Sequence, residues 1–243
     1  LGLDYNEYRL DFNYGGRLGE KTLFNIGGFW REGVGPRNAG YNGNSGYQIK
    51  ANLTQEFDGG YVRIYAKHLD DRAVGYLPMP VLVTGTNADP KFQSIAGFDI
   101  KQDTPHSAYF TTDFGLDGHN NRRTTDITDG MHPVVTTVGL EASFEVADGL
   151  TLEERFRWSD VQGRFVSPFP AEVASAQSLA NSVGELLTGS AGTYGLRYAN
   201  GPSAGQAINA ASLNGNGLLM RTHLFNVELN DLGGFTNDLK LSK

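Results

Sequence analysis

The side chains best suited to ligand binding are concentrated in one aperiodic segment, residues 70–133. Aromatic rings can stack on sugar rings or on other ring-shaped ligands. Six aromatic residues lie in this segment: Tyr76, Phe92, Phe98, Tyr109, Phe110 and Phe114. Aromatic residues also pack long loops onto themselves, so each of them has a purely structural alternative role. We take Tyr76, Phe92, Tyr109 and Phe110 as candidate ligand contacts.

Charged residues follow in the same segment, in the stretch DGHNNRRTTDITDGMH. Arg122 and Arg123 could bind an anionic ligand through paired hydrogen bonds, because the guanidinium fork matches an oxyanion. The alternative is that they form ion pairs with Asp126 or Asp129. The Asp-Gly-His run lacks the spacing of a calcium or zinc loop, so we expect no metal site.

Composition argues against several classes of function. The chain of 243 residues has no cysteine, which excludes disulfides and thiolate metal sites within it. Its net charge of −7 argues against nucleic-acid binding, which needs a basic surface. The five histidines are scattered, and no Ser–His–Asp set or carboxylate pair can be assembled from the sequence. We therefore expect neither an enzyme nor a bound cofactor.

The elements that must position the loop residues are extended strands. In YQIKANLTQEF (47–57), apolar or small residues alternate with polar ones, and a period of two marks a strand with two unlike faces. Similar alternation predicts strands at 5–14, 23–31, 61–69, 134–146, 150–160 and 221–231. LGGFTND then predicts a turn, and LKLSK the opening of an eighth strand.

The predicted connections alternate in length. Those after the first, third, fifth and seventh strands are short, and those after the second, fourth and sixth are long. Two loops are very long, at about 70–133 and 161–220. In an antiparallel sheet this sorts short turns to one end and long loops to the other, as in outer-membrane barrels. Strands of about 10 residues also fit a membrane span better than a soluble sheet.

The second long loop contains a helix signal. Val173, Leu179, Val183 and either Leu186 or Leu187 fall near helical spacing, which predicts a short helix near 171–187. Pro170 and Gly189 supply start and stop signals. Such a helix could serve as a lid over a barrel mouth or as a rigid brace.

The polar faces of the predicted strands carry thirteen charges: Arg9, Asp11, Arg31, Lys50, Glu56, Arg63, Lys67, Glu141, Glu145, Glu153, Arg155, Arg157 and Glu228. Mixed charges suit a wet or plug-filled barrel lumen, and the alternative is the exposed face of a soluble sheet. Aromatic residues near strand ends would form the girdles at a membrane interface: Tyr5, Tyr14, Trp30, Tyr47, Tyr61 and Trp158. Their alternative explanation is ordinary β propensity.

Residues 14–80 resemble the early barrel of TonB-dependent outer-membrane receptors. The resemblance consists of a GG-x-LG-x-K turn, an FN-x-GGF strand, a G-x-R-x-x-G-Y loop, the GYQIKANLT strand and the YVRIYAKHLDDR strand that leads to LPMP. The family has an N-terminal plug inside a barrel of about 22 strands. Here the plug and the energy-coupling box are absent, the first residue is not Met, and LKLSK looks like half a strand. We therefore expect residues 1–243 to be part of a single longer barrel domain, with about eight of its strands.

The resemblance implies a function in active uptake. A small-molecule ligand, such as an iron–siderophore or an oligosaccharide, would bind the outer loops in the outer membrane of a Gram-negative bacterium. The TonB system would supply energy through the missing plug, and outer-membrane lipid would surround the barrel. Three alternatives stay open at this point: a passive porin, a small self-closed outer-membrane barrel, and a soluble β-sandwich binding module.

Overall fold

The chain folds mainly into antiparallel strands, with one α-helix, in a computed structural model that describes residues 6–243. The predicted all-β class is therefore confirmed for these residues. The elements are β1 Glu7–Arg17, β2 Thr22–Gly33, β3 Asn44–Phe57, β4 Gly60–Ala73, β5 Leu82–Thr86, β6 Asp89–Gln93, β7 Thr112–Leu116, β8 Arg122–Asp126, β9 Met131–Ala147, β10 Leu150–Ser175, α1 Ala176–Thr188, β11 Leu196–Arg197, β12 Ala207–Ile208, β13 Leu218–Leu229 and β14 Gly234–Ser242.

Eight of these strands form one sheet, in which neighbours along the sheet follow each other along the chain. The order is β1-β2-β3-β4-β9-β10-β13, with β14 also paired to β10. The remaining strands form three small hairpins, β5–β6, β7–β8 and β11–β12, within the long loops. Among the described residues the sheet stays open, because β1 pairs only with β2, and β13 and β14 pair only with β10.

The predicted turn at LGGFTND is wrong, because β14 continues the course of β13. Both strands run antiparallel to β10: Leu229 pairs with Gly163, and Gly234 pairs with Ser159. Residues 230–233 thus lie opposite 160–162, with one residue in excess. This is the geometry of a β-bulge, and it reverses which face each alternate residue occupies. The sheet accordingly has seven courses of chain rather than the expected eight.

The predicted sorting of connections holds at the six remaining junctions. Short turns join β1 to β2, β3 to β4 and β9 to β10 at one end of the sheet. Residues 34–43, 74–130 and 176–217 form the long connections at the opposite end. We call these the short-turn end and the long-loop end. The long loops are shorter than predicted because β4, β9, β10 and β13 extend further towards them.

The predicted helix begins later than expected. Residues 171–175 belong to β10, where they pair with the start of β13. The helix starts at Ala176, after Ser175 caps it by accepting a hydrogen bond from the Ser178 N–H. It ends at the predicted Gly189, which adopts the left-handed conformation with φ 72°. Strand pairing therefore overrides the helical spacing of the first five residues.

The two faces of the sheet differ as predicted, with three corrections. One face carries Leu10, Ile26, Leu53, Ile64, Leu140 and Phe156, and we call it the apolar face; the charged face carries the predicted charges except Glu228. Glu228 pairs with Arg164 on the other side. Tyr61 points to the charged face beside Arg63, so it is not a girdle residue. Phe225 and Val227 also lie on the charged side, because they pair with Ser167 and Phe165 of β10. Tyr5 lies outside the described residues.

The sheet has no second layer over either face within residues 6–243. Seven hydrophobic residues are buried, and all lie at the long-loop end: Ala39, Val74, Ile127, Val166, Ala176, Leu179 and Ala180. By contrast, Leu10 and Ile64 on the apolar face are 51% and 53% exposed. The protein's own packing therefore stabilises the loop layer, while the strands between it and the short turns are held by their backbone hydrogen bonds.

Candidate functional site

A tall hairpin positions the long loops. Beyond the end of β9 at Met131, β10 and β13 continue as a pair that the loops surround. The Ser167 hydroxyl donates a hydrogen bond to the Gly75 carbonyl, and a side chain on Gly75 would collide with the Phe165 ring. Gly75 thus allows the chain that leaves β4 to lie directly against β10. The long loops therefore pack against β10 and β13, which are also strands of the main sheet.

A cavity of the loop layer lies between this hairpin and residues 80–105, with a volume of about 530 Å³. This volume is within the range of small-molecule sites. Its apolar wall includes Ile95, Phe98, Val173 and Met220. Its polar lining comprises Asp103, Thr104, Asn214, Asn216 and Thr222. Asp103 is the one charged residue of this lining.

Asparagine side chains fix the shape of this cavity. Asn216 donates to the Ala96 carbonyl and accepts from the Leu218 N–H, so it joins the two long loops. Asn214 donates to the Leu218 carbonyl at 2.9 Å. Because both amide side chains hydrogen-bond to the backbone of the loops, they hold the cavity wall in place without a ligand.

An aromatic cluster around the buried His106 joins three loop segments beside the cavity. The His106 Nδ1 lies 2.9 Å from the Tyr41 hydroxyl, and the Tyr76 hydroxyl donates to the Arg37 carbonyl. The rings of Tyr41 and Tyr76 both meet the imidazole edge-on. Burial lowers the pKa of His106 and raises the pKa of Tyr41 to about 12. The cluster is therefore uncharged at neutral pH.

An ion-pair network anchors the loop layer to the strands. Asp129 pairs with Arg164 at 3.2 Å and lies 3.5 Å from the His132 Nδ1, while the His132 Nε2 lies 2.8 Å from Asp70. Arg164 also reaches Glu228 at 3.6 Å. The network lies on the same side of the sheet as the apolar face, but nearer the long-loop end. Its charges are mostly satisfied internally, which indicates a structural role.

The structure does not bring the predicted aromatic residues together. Tyr76 is half-buried in the aromatic cluster around His106, and Phe92 is exposed on β6 beside a small cavity of about 220 Å³. Tyr109 covers Gly201 of the second long loop, and Phe110 lies in a bridge with Ser107. None of the four lines the 530 Å³ cavity.

The two predicted arginines also have different environments from those expected. Arg123 pairs with Glu228 at 3.6 Å rather than with Asp126 or Asp129. Asp126 instead caps a short 3₁₀ turn by accepting from Thr128. No carboxylate of residues 6–243 lies within 4 Å of the exposed Arg122 guanidinium. Arg122 therefore keeps its candidate role, and Arg123 is engaged.

The Asp-Gly-His run forms a local turn. Asp117 accepts hydrogen bonds from the backbone N–H groups of His119 and Asn121, and these lower the pKa of its carboxyl, with that of Asn121 the largest cause. In the described part of the chain, no three His, Asp or Glu side chains converge on a point where a metal ion could bind. Over the same residues, no helix has the length and apolar character needed to cross a membrane.

A cluster of cations on the charged face was not predicted: Lys50, Lys67 and Arg157 surround one concavity. A usable signal was present in the sequence. The two-residue turn Asp58–Gly59 sets the register of β3 against β4, and that register places Lys50 opposite Lys67. By contrast, nothing in the sequence pattern places His106 beside Tyr41, because the two residues are 65 positions apart and belong to different long connections.

Comparison of the chain with protein-family models, with curated proteins and with solved structures gives no match.

Proposed function

We propose that this chain forms part of the barrel of a TonB-dependent outer-membrane receptor, which imports a scarce small molecule into a Gram-negative bacterium. The observation that carries the proposal is a single-layer sheet with an uncovered apolar face on one side and a charged face on the other. In water, such an apolar face would need a protein layer over it. In a bilayer, lipid provides that cover, and the charged face lines the interior.

The apolar band crosses the sheet diagonally, which supports a membrane setting. On β1 the band comprises Tyr8, Leu10, Phe12 and Tyr14, and on β10 it runs from Leu152 to Trp158. In the register of the sheet its centre moves by about six residues over the five steps from β1 to β10. That is about 20 Å across about 24 Å of sheet, or a strand tilt of about 40°. Membrane barrels have tilts of about 35–45°.

Aromatic residues mark the borders of this band. Trp30 and Tyr47 are cross-strand partners on the apolar face, at its border towards the long loops, and Trp158 holds the same border on β10. The rings of Phe57 and Phe144 pack together near the short turns, with their centroids 6.2 Å apart. Tryptophan and tyrosine favour the level of the lipid headgroups, because their rings are amphipathic. These positions support the proposed lipid borders.

The loop layer supports a binding role at the outer surface. Long loops of membrane barrels face outwards and short turns face the periplasm. The 530 Å³ cavity and the exposed Arg122 belong to the long-loop end, where an external ligand would arrive. Energy coupling through TonB rests on the resemblance of residues 14–80 alone, and the open sheet edges accommodate further barrel strands. We propose no bond-making chemistry.

Native extraction and conductance would test this function. We expect the native protein to stay with the outer-membrane fraction until detergent is added, with a mass several times 26.4 kDa. Reconstituted in a planar bilayer, a plugged receptor gives no steady conductance. A steady ohmic conductance would favour the passive porin, and a 26.4 kDa native mass would favour a small closed barrel. Release from cells without detergent would favour the soluble binding module.

A further inference from the structure

Two lysines on the charged face oppose each other directly. Lys50 of β3 and Lys67 of β4 are cross-strand partners, so their side chains leave the same face of neighbouring strands. Like charges in this arrangement destabilise a sheet. Arg157 of β10 lines the same concavity from the far side. Within residues 6–243, none of these three cations has a carboxylate within 4 Å.

Several other cations on this face are paired with acids. Arg31 binds Asp71 at 2.8 Å, Arg63 binds Glu141 at 3.2 Å, and Lys240 binds Glu153 at 3.2 Å. Arg155 is an exception: Glu141 and Asp238 are its cross-strand partners, and its guanidinium lies within 4 Å of neither carboxylate. The concentration of positive charge between Lys50, Lys67 and Arg157 is a local departure from that arrangement.

The concavity between these cations has a volume of about 380 Å³ and is rich in hydrogen-bond donors. Besides the three cations, Asn25, Asn52, Tyr65 and Thr137 line it, and no carboxylate does. Gly139 gives the Tyr65 ring room to lie across β9, since a Cβ at that position would come within 2.2 Å of the ring. Ammonium, guanidinium, amide and hydroxyl groups from five strands thus converge on one space.

We propose that this concavity, the cation pocket, binds an oxyanion, either a carboxylate or a phosphate group. An oxyanion would remove the repulsion between Lys50 and Lys67 and accept charge-assisted hydrogen bonds from both. The group could belong to a free small anion or to an acidic side chain of another polypeptide segment. This inference does not require the sheet to lie in a membrane.

The test uses chemical unfolding of the native protein with and without pyrophosphate at constant ionic strength. The variants are Lys50→Gln and Lys67→Gln. The matched control is Lys240→Gln, which removes the same charge from a paired site on the same face. If a free anion binds, pyrophosphate raises the unfolding midpoint of the native protein. Either pocket variant then weakens the pyrophosphate affinity tenfold or more, and the control leaves it within twofold.

The second source gives a different result. If a protein carboxylate occupies the cation pocket, pyrophosphate has no effect, and both pocket variants lower the midpoint more than the control does. The proposal is overturned if the pocket variants raise or maintain the midpoint and pyrophosphate does not stabilise the protein. It is equally overturned if Lys240→Gln reduces pyrophosphate affinity as much as the pocket variants, because the binding would then reflect net charge alone.

Discussion

Arg31 and Asp71 form a two-pronged ion pair that spans an intervening strand. The guanidinium of Arg31 donates to both Asp71 carboxylate oxygens at 2.8 Å, from β2 to β4. The residue between them in the register is Gly46 of β3, which has no side chain to obstruct the bridge. Both side chains are only 18% exposed, so the pair is shielded from water. The bridge therefore holds three adjacent strands in register at the long-loop end.

Replacing Asp71 by Ala should lower the free energy of unfolding by about 2 kcal/mol, since it leaves a mostly buried guanidinium without its partner. Urea unfolding measures this change. Asp11→Ala is the matched control: it breaks a comparable pair with Arg9, but within one strand and in an exposed setting. An equal loss in both variants would contradict the shielding of the Arg31–Asp71 pair.

Gly139 should not tolerate a methyl group. A Cβ at this position would lie 2.2 Å from the Tyr65 ring, so Gly139→Ala should cost about 1–3 kcal/mol through overpacking. Adding Tyr65→Leu should recover part of that loss. Gly163→Ala, whose Cβ would meet nothing closer than 3.8 Å, should leave the unfolding midpoint nearly unchanged. If Gly139→Ala, the double variant and Gly163→Ala all have the same unfolding midpoint, the Tyr65 ring does not lie against Gly139.

Acidification should loosen the loop layer through His106. Burial lowers the pKa of His106 in the folded protein below its usual 6.5, so the unfolded chain binds the proton more readily. The stabilisation is therefore complete above pH 6.5 and declines as the pH falls below it. His106→Gln should reduce the slope of stability against pH between 7.5 and 5, and His119→Gln, at an exposed loop position, is the control. Hydrogen exchange of residues 104–108 reports the same opening locally, and an unchanged slope in His106→Gln would refute it.

Arginine substitutions should distinguish the two faces of the sheet by their effect on stability. In a bilayer, Leu140→Arg on the apolar face should destabilise the protein by about 2–4 kcal/mol, the cost of a cation near the hydrocarbon centre. Ser143→Arg lies three residues along the same strand on the charged face, opposite Glu153, and should be nearly neutral. Unfolding in lipid vesicles compares the two. Similar losses at both positions would mean that neither face contacts lipid.

The alternation of apolar and polar residues and the residue types in the turns predicted most of the sheet, because both signals lie within short stretches of sequence. The alternation of β3 and the two-residue turn at Asp58–Gly59 determine the strands, faces and register of β3 and β4. The turn at Asp148–Gly149 predicts that β9 pairs with β10, but a bulge between Leu150 and Thr151 then shifts their register by one residue. The bulge at 230–233 escaped prediction because its glycines are equally typical of a tight turn. The start of α1 escaped because residues 171–175 gain strand partners that only the fold supplies.

The loop contacts could not be predicted, because they join residues that are distant in the chain. Arg123 forms an ion pair with Glu228, which lies 105 positions away, although Asp126 and Asp129 are closer in sequence. Asp126 is unavailable because its side chain caps the 3₁₀ turn, and Asp129 is already held by Arg164. Arg123 therefore pairs with Glu228, because the two nearer aspartates already have other hydrogen-bond or ion-pair partners.

The central claim is that the apolar face of the sheet contacts lipid while the opposite face contacts water. The chain has no cysteine, so single cysteines for nitroxide spin labels can be placed along β3 from Gln48 to Leu53. In vesicles, we predict that oxygen reaches the labels at positions 49, 51 and 53, and that a polar nickel complex reaches those at 48, 50 and 52. Equal access of the nickel complex to all six positions would contradict the account, because both faces would then be in water.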